Sequence, residues 1–400
     1  MIEIKDKSKC CGCTACASVC PMDCIEMKED MEGFLYPSVD KGKCIDCGAC
    51  EKVCPILNVR EEEPIPQTAY IVQNKNEQIL RESTAGGAFT AIAKYILKSD
   101  GVVFGVELGD DLVARHVYIE SEAELCRFRN SKYIQSIVGG GTYKQVKSFL
   151  DKGRFVCFSG TPCQIEGLKR YLKKDYENLI TVDVVCRAVP SPMIFRKYVE
   201  YQKGRMSDNI KVVRFRDKHY GYKYSTMNII TERNHGDYHQ GVDSDPWLRA
   251  YFSNICDRPS CHECQFRTQY RVSDFTIWDC FHVGRFSKEL DNDKGATRML
   301  VHTDNGGKVF EKVKCDFRYV EITPDQAVAG ARELRESVKP NERRQAFFED
   351  AHVMNGSELF RKYFPETLKV KAEHFVRIAC YKLGIYSIAK KLYVRVTGKY

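Results

Sequence analysis

The chain has 400 residues, of which 43% are hydrophobic and 29% are charged, and its formal net charge is +8. This balance is ordinary for globular proteins and excludes a disordered chain, and the length predicts two or three domains. No apolar run reaches the roughly 18 residues that a membrane-spanning helix needs, and the first residues lack a secretory signal pattern. We therefore expect a cytoplasmic protein.

The first predicted element is a cysteine-rich module. The pattern C-x2-C-x2-C-x3-C-P occurs twice within the first 55 residues. Two complete copies, each closed by proline, are typical of a bacterial-type ferredoxin that binds two 4Fe–4S clusters. The candidate ligands are Cys10, Cys13, Cys16, Cys20, Cys44, Cys47, Cys50 and Cys54.

The spacing also predicts how the two clusters share these ligands. One tight loop supplies three thiolates to a cubane, and the fourth comes from the other copy. The first cluster is expected on Cys10, Cys13, Cys16 and Cys54. The second cluster is expected on Cys44, Cys47, Cys50 and Cys20. A pair of zinc knuckles is the alternative, although zinc favours two separated pairs of ligands. Cys11 and Cys24 fall outside the pattern and are predicted to be packed thiols near the clusters.

Bound clusters change the charge balance. Each oxidised 4Fe–4S core with four thiolates carries about −2, so two clusters lower the formal +8 to roughly +4 and a third lowers it to about +2. We therefore do not expect nucleic-acid binding. Twenty cysteines in a chain of this size with ferredoxin spacing indicate metal ligands in a reducing compartment and not a disulfide framework.

The composition divides the rest of the chain. Residues 1–58 form the module, and the charged, proline-containing stretch 59–67 predicts a linker. Strand-like and helix-like segments alternate over 68–190, which predicts an α/β domain with a mixed sheet. Residues 191–345 are richer in strands and predict a C-terminal domain, and residues 346–400 predict a basic helical tail. The predicted fold is an α+β ferredoxin-like module followed by an α/β domain and this tail.

Short apolar runs and helix-like periodicity predict individual elements. The predicted strands are 69–72, 102–106, 154–158, 179–185, 211–216, 226–231, 274–278 and 299–302, and the predicted helices include 87–97 and 142–150.

Three glycine-containing loops precede helical segments, at residues 83–89, 139–141 and 159–163. Hydroxyl groups and glycines at a helix start let a phosphate approach the exposed backbone N–H groups. None of the loops matches a dinucleotide or P-loop pattern, and each alone is more typical of an ordinary helix cap. Several of them in one α/β domain, beside a module that needs a two-electron partner, favour a flavin.

A second cysteine group follows. Its members are Cys163, Cys186, Cys256, Cys261, Cys264 and Cys280. These are more cysteines than one site needs, and we favour a third 4Fe–4S cluster among them. A zinc knuckle that uses Cys256, Cys261, Cys264 and either His262 or Cys280 is the alternative, and packed thiols are another.

Basic residues in the tail alternate with apolar residues at helix-like spacing. This pattern predicts an amphipathic helix that lies either on its own domain or on a membrane surface or partner. The basic residues are Lys369, Lys371, Arg377, Lys382, Lys390, Lys391, Arg395 and Lys399.

Four segments together carry a family resemblance. They are R-E-S-T-A-G-G at 81–87, S-K-Y-I-Q-S at 131–136, F-S-G-T-P-C-Q-I at 158–165 and R-P-S-C-H-E-C at 258–264. In this order they resemble the coenzyme F(420) hydrogenase/dehydrogenase beta-subunit family, which includes plant 7-hydroxymethyl chlorophyll a reductase. The similarity runs from about residue 68 to about residue 340. Members hold FAD beside an iron–sulfur cluster, and some exchange hydride with coenzyme F(420).

The resemblance implies which residues surround the cofactors. It implies an α/β flavin-binding domain, with FAD near Ser83, Thr84, Gly86, Gly87, Lys132, Tyr133, Gln135, Ser159, Gly160, Thr161 and Pro162. It implies an inner cluster surrounded by Cys163, Cys186, Cys256, Cys261 and Cys264.

Two segments depart from the family pattern. Arg187-Ala188 stands where the family usually has His-Gly, and residues 278–282 read W-D-C-F-H where G-D-F-W-G is common. The second departure makes Cys280 a candidate fourth ligand. Both departures touch loops on the substrate side of the flavin, so they leave the two-electron substrate open.

The sequence thus predicts a cytoplasmic iron–sulfur flavoprotein oxidoreductase. It would pass electrons between a ferredoxin-type carrier and a two-electron organic substrate or coenzyme F(420), through 4Fe–4S clusters and FAD. Asp183, Asp279 and His282 are candidate acid–base groups, and no catalytic residue is assigned. The alternative is an electron-transfer subunit without a substrate site that docks on a catalytic partner through its tail.

Overall fold

The structure, a computed structural model, describes residues 1–233, 238–386, 388–389 and 392 of the chain. The strands are β1 (Ile25–Glu29), β2 (Leu35–Val39), β3 (Thr68–Asn74), β4 (Val102–Leu108), β5 (Ala114–Ile119), β6 (Val156–Gly160), β7 (Leu179–Val184), β8 (Ile210–Asp217), β9 (Thr226–Thr231), β10 (Tyr238–Gln240), β11 (Phe275–Asp279), β12 (Thr297–Val301) and β13 (Phe317–Ile322).

Helices connect most of these strands and form the C-terminal part of the described chain. The α-helices are α1 (Ala15–Val19), α2 (Ala49–Lys52), α3 (Glu77–Glu82), α4 (Ala88–Lys98), α5 (Thr142–Asp151), α6 (Pro162–Leu172), α7 (Pro192–Met206), α8 (Pro246–Phe252), α9 (Asp304–Val313), α10 (Pro324–Val328), α11 (Arg332–Arg335), α12 (Arg344–Val353), α13 (Gly356–Tyr363) and α14 (Leu368–Lys382). Short 3-10 helices span Lys7–Lys9, Glu122–Phe128, Pro259–Cys261, Val283–Arg285 and Lys314–Asp316. In the part of the chain that the structure describes, no helix is both long and apolar enough to cross a bilayer.

The N-terminal module repeats one loop-and-helix unit around an antiparallel ribbon of β1 and β2. Each short helix begins after a residue with a left-handed backbone, Thr14 with φ 65° and Gly48 with φ 70°. Both residues directly follow the second cysteine of their repeat. The same local turn therefore brings the third cysteine of each copy back toward the first two.

The central sheet has eight strands in the order β13-β3-β12-β11-β7-β6-β4-β5. The four adjacent strands β11, β7, β6 and β4 run parallel, and the remaining pairs are antiparallel. Helices α4 and α9 pack on one face in a shared apolar core, and α5 and α6 pack on the other. In such sheets, ligands bind beyond the carboxyl ends of the parallel strands.

Another apolar core joins several peripheral elements. It contains the three-stranded antiparallel sheet β10-β9-β8 and helices α7, α8, α12 and α13. Phe34 and Tyr36 of the N-terminal module enter the same core. The module is therefore built into the body of the protein.

The eight predicted strands are confirmed, as β3, β4, β6, β7, β8, β9, β11 and β12, and the two predicted helices are confirmed as α4 and α5. The boundary predicted at residue 190 does not divide the sheet, because β11, β12 and β13 extend the sheet that β3 to β7 begin. In the predicted tail, α12, α13 and α14 are helical, whereas residues 387, 390, 391 and 393–400, including Lys390, Lys391, Arg395 and Lys399, lie outside the described residues.

Candidate functional site

The eight module cysteines surround two small hollows. Cys10, Cys13, Cys16 and Cys54 line one hollow. Cys20, Cys44, Cys47 and Cys50 line the other. Each hollow thus takes three cysteines from one copy of the pattern and one from the other copy. This is the arrangement that a pair of cubanes requires.

Backbone N–H groups point at the sulfurs of the second hollow. The Ile2 N–H donates to Cys50 Sγ at 3.3 Å, and the Asp46 N–H donates to Cys44 Sγ at 3.4 Å. Such bonds offset the charge of a thiolate and help to set the potential of an iron–sulfur cluster. The Cys24 sulfur lies 3.4 Å from that of Cys20 at the edge of this hollow.

A third set of cysteines meets at the carboxyl ends of β6 and β7. Cys163 is the second residue of α6, Cys186 follows β7, Cys261 ends a 3-10 helix, and Cys264 lies three residues further. Burial raises the pKa of Cys186 to about 12, and charges on Cys163 and Cys264 add to that shift. Burial also raises the pKa of Cys261, with added effects of Cys186 and Cys264. We call these four residues the inner cysteine group.

Backbone and hydroxyl groups hold the inner cysteine group. The Val189 N–H donates to Cys261 Sγ at 3.4 Å, and the Cys264 N–H donates to Ser337 Oγ at 3.0 Å. Among the described residues, neither these cysteines nor the eight of the module include three side chains close enough to share a single metal ion.

Cys256 and Cys280 pack in apolar clusters other than the one that contains Cys261. Cys256 lies in the apolar core beside α7 and α8, where burial and the charge of Asp257 raise the pKa of its thiol. Cys280 packs with Ile71 and extends the β11–β12 ladder, because its N–H donates to the Ala296 carbonyl at 3.0 Å. That pairing holds Cys280 at the sheet, so we leave both Cys280 and Cys256 out of the inner cysteine group.

A cavity of about 350 Å³ opens beside the inner cysteine group. It lies beyond the carboxyl ends of β6, β7 and β11, and Cys163 and Cys186 form part of its wall. Every residue predicted near the flavin lines this cavity, except Gly86 and Pro162. Its volume is within the range of small-molecule sites, about 300–1,000 Å³.

Two helix starts face the cavity. Gly87 and the first residues of α4 line it, as do Thr161, Cys163 and Gln164 at the start of α6. Both helices have 11 residues, so the positive end of each helix dipole favours an anion at these two starts. Gly86 lies behind this wall, where an added Cβ would come within 2.3 Å of the Val72 carbonyl oxygen. Glycine is therefore needed there for close packing.

The cavity wall contains donors that lack acceptors. Arg129 Nε, Arg187 Nε and Trp278 Nε1 are buried and have no hydrogen-bond partner among the described residues. Unpaired buried donors are costly, at about 1–3 kcal/mol each, and a ligand rich in acceptors would satisfy them. The oxygens and ring nitrogens of FAD are such acceptors, so the residues present fit a flavin.

Charged and aromatic side chains form another part of the wall. Burial lowers the pKa of Lys132 to about 7, although its ammonium donates to two carbonyl oxygens, those of Arg127 and Arg129. Tyr133 stacks on Tyr251 with ring centroids 4.6 Å apart. These side chains offer a flat aromatic surface and a cationic donor in one cavity.

The candidate acid–base residues take different positions. Asp183 is buried and accepts from Arg271 Nη1 at 2.9 Å, which is a structural ion pair. Asp279 lines the cavity and accepts from the Tyr222 hydroxyl at 3.0 Å and from Arg216 at 3.3 Å. His282 lies at the surface, in the turn that follows β11. Asp279 is thus the candidate that the structure brings to the cavity.

Arg258 connects the module to the cavity. Its guanidinium donates to the carbonyls of Cys10 and Leu35 at 2.8 and 2.9 Å, and to Gln135 Oε1 at 3.2 Å. It also lies 3.6 Å from Cys10 Sγ, although the residue is only 1% exposed. The cysteine spacing does not predict this role, and the signals in the sequence are that Arg258 lies between Cys256 and Cys261 and begins the segment R-P-S-C-H-E-C.

Cys11 lies between the first hollow, the inner cysteine group and the cavity. A hydrogen bond with Cys13 and burial raise the pKa of its thiol well above the usual value, and it also hydrogen-bonds with Cys163. Cys11 lines both the first hollow and the large cavity. The three parts of the site are therefore in contact through one side chain.

Comparisons with known proteins identify two parts of the chain. Residues 153–326 match the model for the C terminus of the coenzyme F(420) hydrogenase/dehydrogenase beta subunit, and residues 9–57 match a 4Fe-4S dicluster domain. One similar solved structure is a chain of the F(420)-reducing NiFe hydrogenase complex from Methanosarcina barkeri, determined in a xenon derivatization. It has 18% identity and a TM-score of 0.44, and the match covers 76% of this chain and 94% of that chain. No curated protein matches the sequence significantly.

Proposed function

We propose that this chain, which belongs to the coenzyme F(420) hydrogenase/dehydrogenase beta-subunit family and carries a 4Fe–4S dicluster domain, is an iron–sulfur flavoprotein oxidoreductase. It would transfer electrons between a ferredoxin-type carrier and a two-electron substrate, which is either a small organic molecule or coenzyme F(420). The observation that carries the proposal is one cavity bounded both by Cys163 and Cys186 of the inner cysteine group and by two helix starts suited to an anion.

The cysteines that line each hollow are the proposed ligands of the two module clusters. The loop of the second hollow is at the surface, where Cys47 and its neighbour Ile45 are exposed. The first hollow lies toward the body of the protein, and its Cys13 is buried against Gly167 of α6. We therefore assign the docking of the one-electron carrier to the surface loop around Cys47.

The inner cysteine group is the proposed site of a third 4Fe–4S cluster. Its four sulfurs come from three segments of the chain, Cys163 contacts Cys11, and Cys163 and Cys186 line the cavity. Ligands from different directions are what a cubane needs. Cys256 and Cys280 have no part in this assignment.

FAD is the proposed occupant of the large cavity. The helix starts at Gly87 and Thr161 would receive its pyrophosphate, and Lys132 would add a cationic donor. Tyr133 would offer a stacking surface, and the unpaired Trp278 Nε1 would donate to an acceptor on the ring system. Bound FAD would supply the exchange between one-electron carriers and a two-electron substrate, and the protein would hold and tune it.

The substrate side of the cavity would be formed by the two segments that depart from the family pattern. Arg187 lines the cavity and donates to Glu333 and Asn254, so its guanidinium is held at the wall. Asp279 is fixed by Tyr222 and Arg216. These side chains would select a substrate that differs from that of relatives with His-Gly and Phe-Trp at the same places.

A cofactor inventory on one anaerobic preparation tests the proposal. We expect about twelve irons and one flavin per chain if three clusters are bound. Cys186→Ser should lower the iron content to about eight, because one ligand of the inner cysteine group is lost. Cys280→Ser is the matched control and should retain about twelve irons. Eight irons without flavin in the unaltered protein would contradict the proposal.

The same preparation also distinguishes the proposed function from the alternative, an electron-transfer subunit without its own substrate site. Chemically reduced protein should transfer two electrons to a deazaflavin or to an artificial two-electron acceptor through the flavin. A flavin-free protein that exchanges electrons only with one-electron carriers would favour the alternative.

A further inference from the structure

Helix α14 packs on the protein through its polar side. His374 Nδ1 lies 3.0 Å from the Tyr224 hydroxyl and 3.2 Å from Ser244 Oγ. Arg377 lies 3.7 Å from an oxygen of Asp243, and the exposed fraction of the Asp243 side chain is only 1%. None of the residues of α14 itself is buried. Polar contacts therefore hold this helix in place.

The opposite side of α14 is apolar and faces solvent. Leu368, Phe375, Val376 and Leu383 are 86%, 72%, 56% and 72% exposed. At about 100° per residue, these four side chains fall within an arc of roughly 100°. His374, Arg377 and Tyr381 lie on the far side of the helix. A helix of a soluble domain has the reverse arrangement, with its apolar stripe toward the core.

Lysines border the exposed apolar stripe. Lys369 lies at one edge, and Lys371 and Lys382 lie at the other, and all three are exposed. From His374 to the last residue the sequence contains no Asp or Glu. The same stretch contains six basic residues, Arg377, Lys382, Lys390, Lys391, Arg395 and Lys399.

The apolar character continues past the helix. Ile388 and Leu392 are 63% and 56% exposed. A large contiguous apolar surface on a monomer marks an interaction site. Positive charge lies at both edges of the apolar stripe, and the sequence has no Asp or Glu after residue 373. This pattern favours a binding partner that has a negatively charged surface and an apolar interior.

We propose that this face of α14 binds the surface of an anionic lipid bilayer. Phe375, Val376 and Leu383 enter the boundary between headgroups and acyl chains, and the helix lies parallel to the surface. Lys369, Lys371 and Lys382 extend their methylene stems along the apolar stripe and place their ammonium groups at anionic headgroups. The polar contacts to Tyr224 and Asp243 keep the helix on the protein, so docking needs no rearrangement of the redox site.

Vesicle flotation with the full-length, cofactor-loaded protein tests this proposal. The probes are vesicles of pure phosphatidylcholine and vesicles in which about 30% of the lipid is phosphatidylglycerol. We expect the protein to float with the anionic vesicles at least tenfold more than with the neutral ones. Binding should weaken as salt is raised. Replacing one lysine by glutamine should lower the partition coefficient about fivefold.

The apolar stripe is tested with a double variant and a matched control. Phe375→Glu combined with Leu383→Glu should abolish flotation, because both charges would enter the apolar boundary. Val353→Glu is the control, since Val353 is 80% exposed and ends α12. It should float like the unaltered protein. Unchanged iron content and thermal unfolding would show that the variants fold normally, as expected for exposed positions.

Three results would overturn the proposal. The first is no flotation of the unaltered protein with anionic vesicles, and the second is equal flotation of the double variant. The third is a dimer in vesicle-free buffer that the double variant converts to a monomer, because a second copy of the chain would then cover the stripe.

Discussion

Arg258 carries a full positive charge into the contact between the module and the cavity. Its guanidinium lies over the Tyr36 ring at 4.2 Å and hydrogen-bonds to backbone carbonyls of the module. An added Cβ on Gly12 would lie 3.0 Å from Arg258 Nη1, so glycine at 12 leaves the space that this side chain fills. The arginine therefore both joins the two parts and lowers the effective negative charge near Cys10.

Arg258→Met should change the redox behaviour of the first module cluster. Removal of a cation 3.6 Å from Cys10 Sγ disfavours the more negative, reduced state. We expect the midpoint potential of that cluster to fall by on the order of tens of millivolts. The unfolding free energy should also decrease by about 2 kcal/mol, because buried carbonyls lose their donors.

Arg258→Lys is the control for charge. It should keep the potential close to that of the unaltered protein and lose part of the stability, because an ammonium cannot reproduce the planar fork. An EPR-monitored redox titration measures the potential, and urea unfolding measures the stability. An unchanged potential in Arg258→Met would contradict the proposed electrostatic role.

At this scale, sequence spacing predicts only what is local. The two cysteine patterns lie on tight loops, so the grouping of Cys54 with the first copy and of Cys20 with the second follows from geometry. The inner cysteine group combines residues up to about 100 positions apart, which only the folded sheet brings together. The sequence also makes Cys256 and Cys280 candidate ligands, but Cys280 pairs with β12 through its backbone and Cys256 packs in an apolar core.

Among the elements, the start of α6 is fixed by Gln164. Its Oε1 accepts from the Thr161 N–H at 2.9 Å, and its Nε2 donates to Ser136 Oγ at 3.0 Å. A glutamine three residues after the N-cap thus closes the first turn of the helix. It also ties α6 to the segment that contains Lys132 and Gln135. The side chain lines the cavity, so it is close to any ligand there.

Gln164→Glu and Gln164→Ala should separate capping from charge. The glutamate keeps an acceptor for the Thr161 N–H, so its unfolding free energy should stay within about 0.5 kcal/mol of the unaltered value. It adds a negative charge to the cavity, and FAD affinity should fall about tenfold. The alanine loses the cap, at a cost of about 1 kcal/mol, with a smaller loss of FAD affinity. Equal FAD dissociation constants for the two variants, measured by fluorescence titration, would contradict an anionic ligand at this helix start.

The type of eight strands and two helices could be predicted because short runs of β-branched and aromatic residues, such as those of β4 and β7, differ clearly from the helical periodicity of α4. The continuation of the sheet past residue 190 could not be predicted, because β11 pairs with β7 across about 90 residues of chain. The orientation of α14 on the protein could not be predicted from the sequence either. Its sequence shows an amphipathic helix, but only the contacts of His374 and Arg377 reveal that the polar side faces inward.

At the scale of the whole molecule, the N-terminal module packs directly against the rest of the protein, although the segment that links the two in sequence is exposed. Residues 59–67 form no helix or strand and are mostly exposed. Cys13, Ala15 and Val53 nevertheless pack in the core of α5 and α6. At the edge of the contact, Lys9 pairs with Glu263 at 2.9 Å. Apolar burial and Arg258 thus hold the module on the rest of the protein. The surface ion pairs around this contact add little to its stability.

Cleavage of the linker should therefore leave the protein assembled. A specific protease site placed within residues 60–66 should be cut readily, because this stretch is exposed and has no regular structure. The two fragments should still elute together in gel filtration, and also at about 0.5 M salt, since screening affects mainly the exposed ion pairs.

Gly167→Ala should weaken the association of the two fragments although alanine favours helix, because its Cβ would lie 2.8 Å from Cys13 Cβ. Gly140→Ala is the matched control, since an added Cβ there meets nothing within 4 Å, and it should leave the fragments together. Separation of the fragments of the unaltered chain would mean that the linker alone keeps the module beside the inner cysteine group.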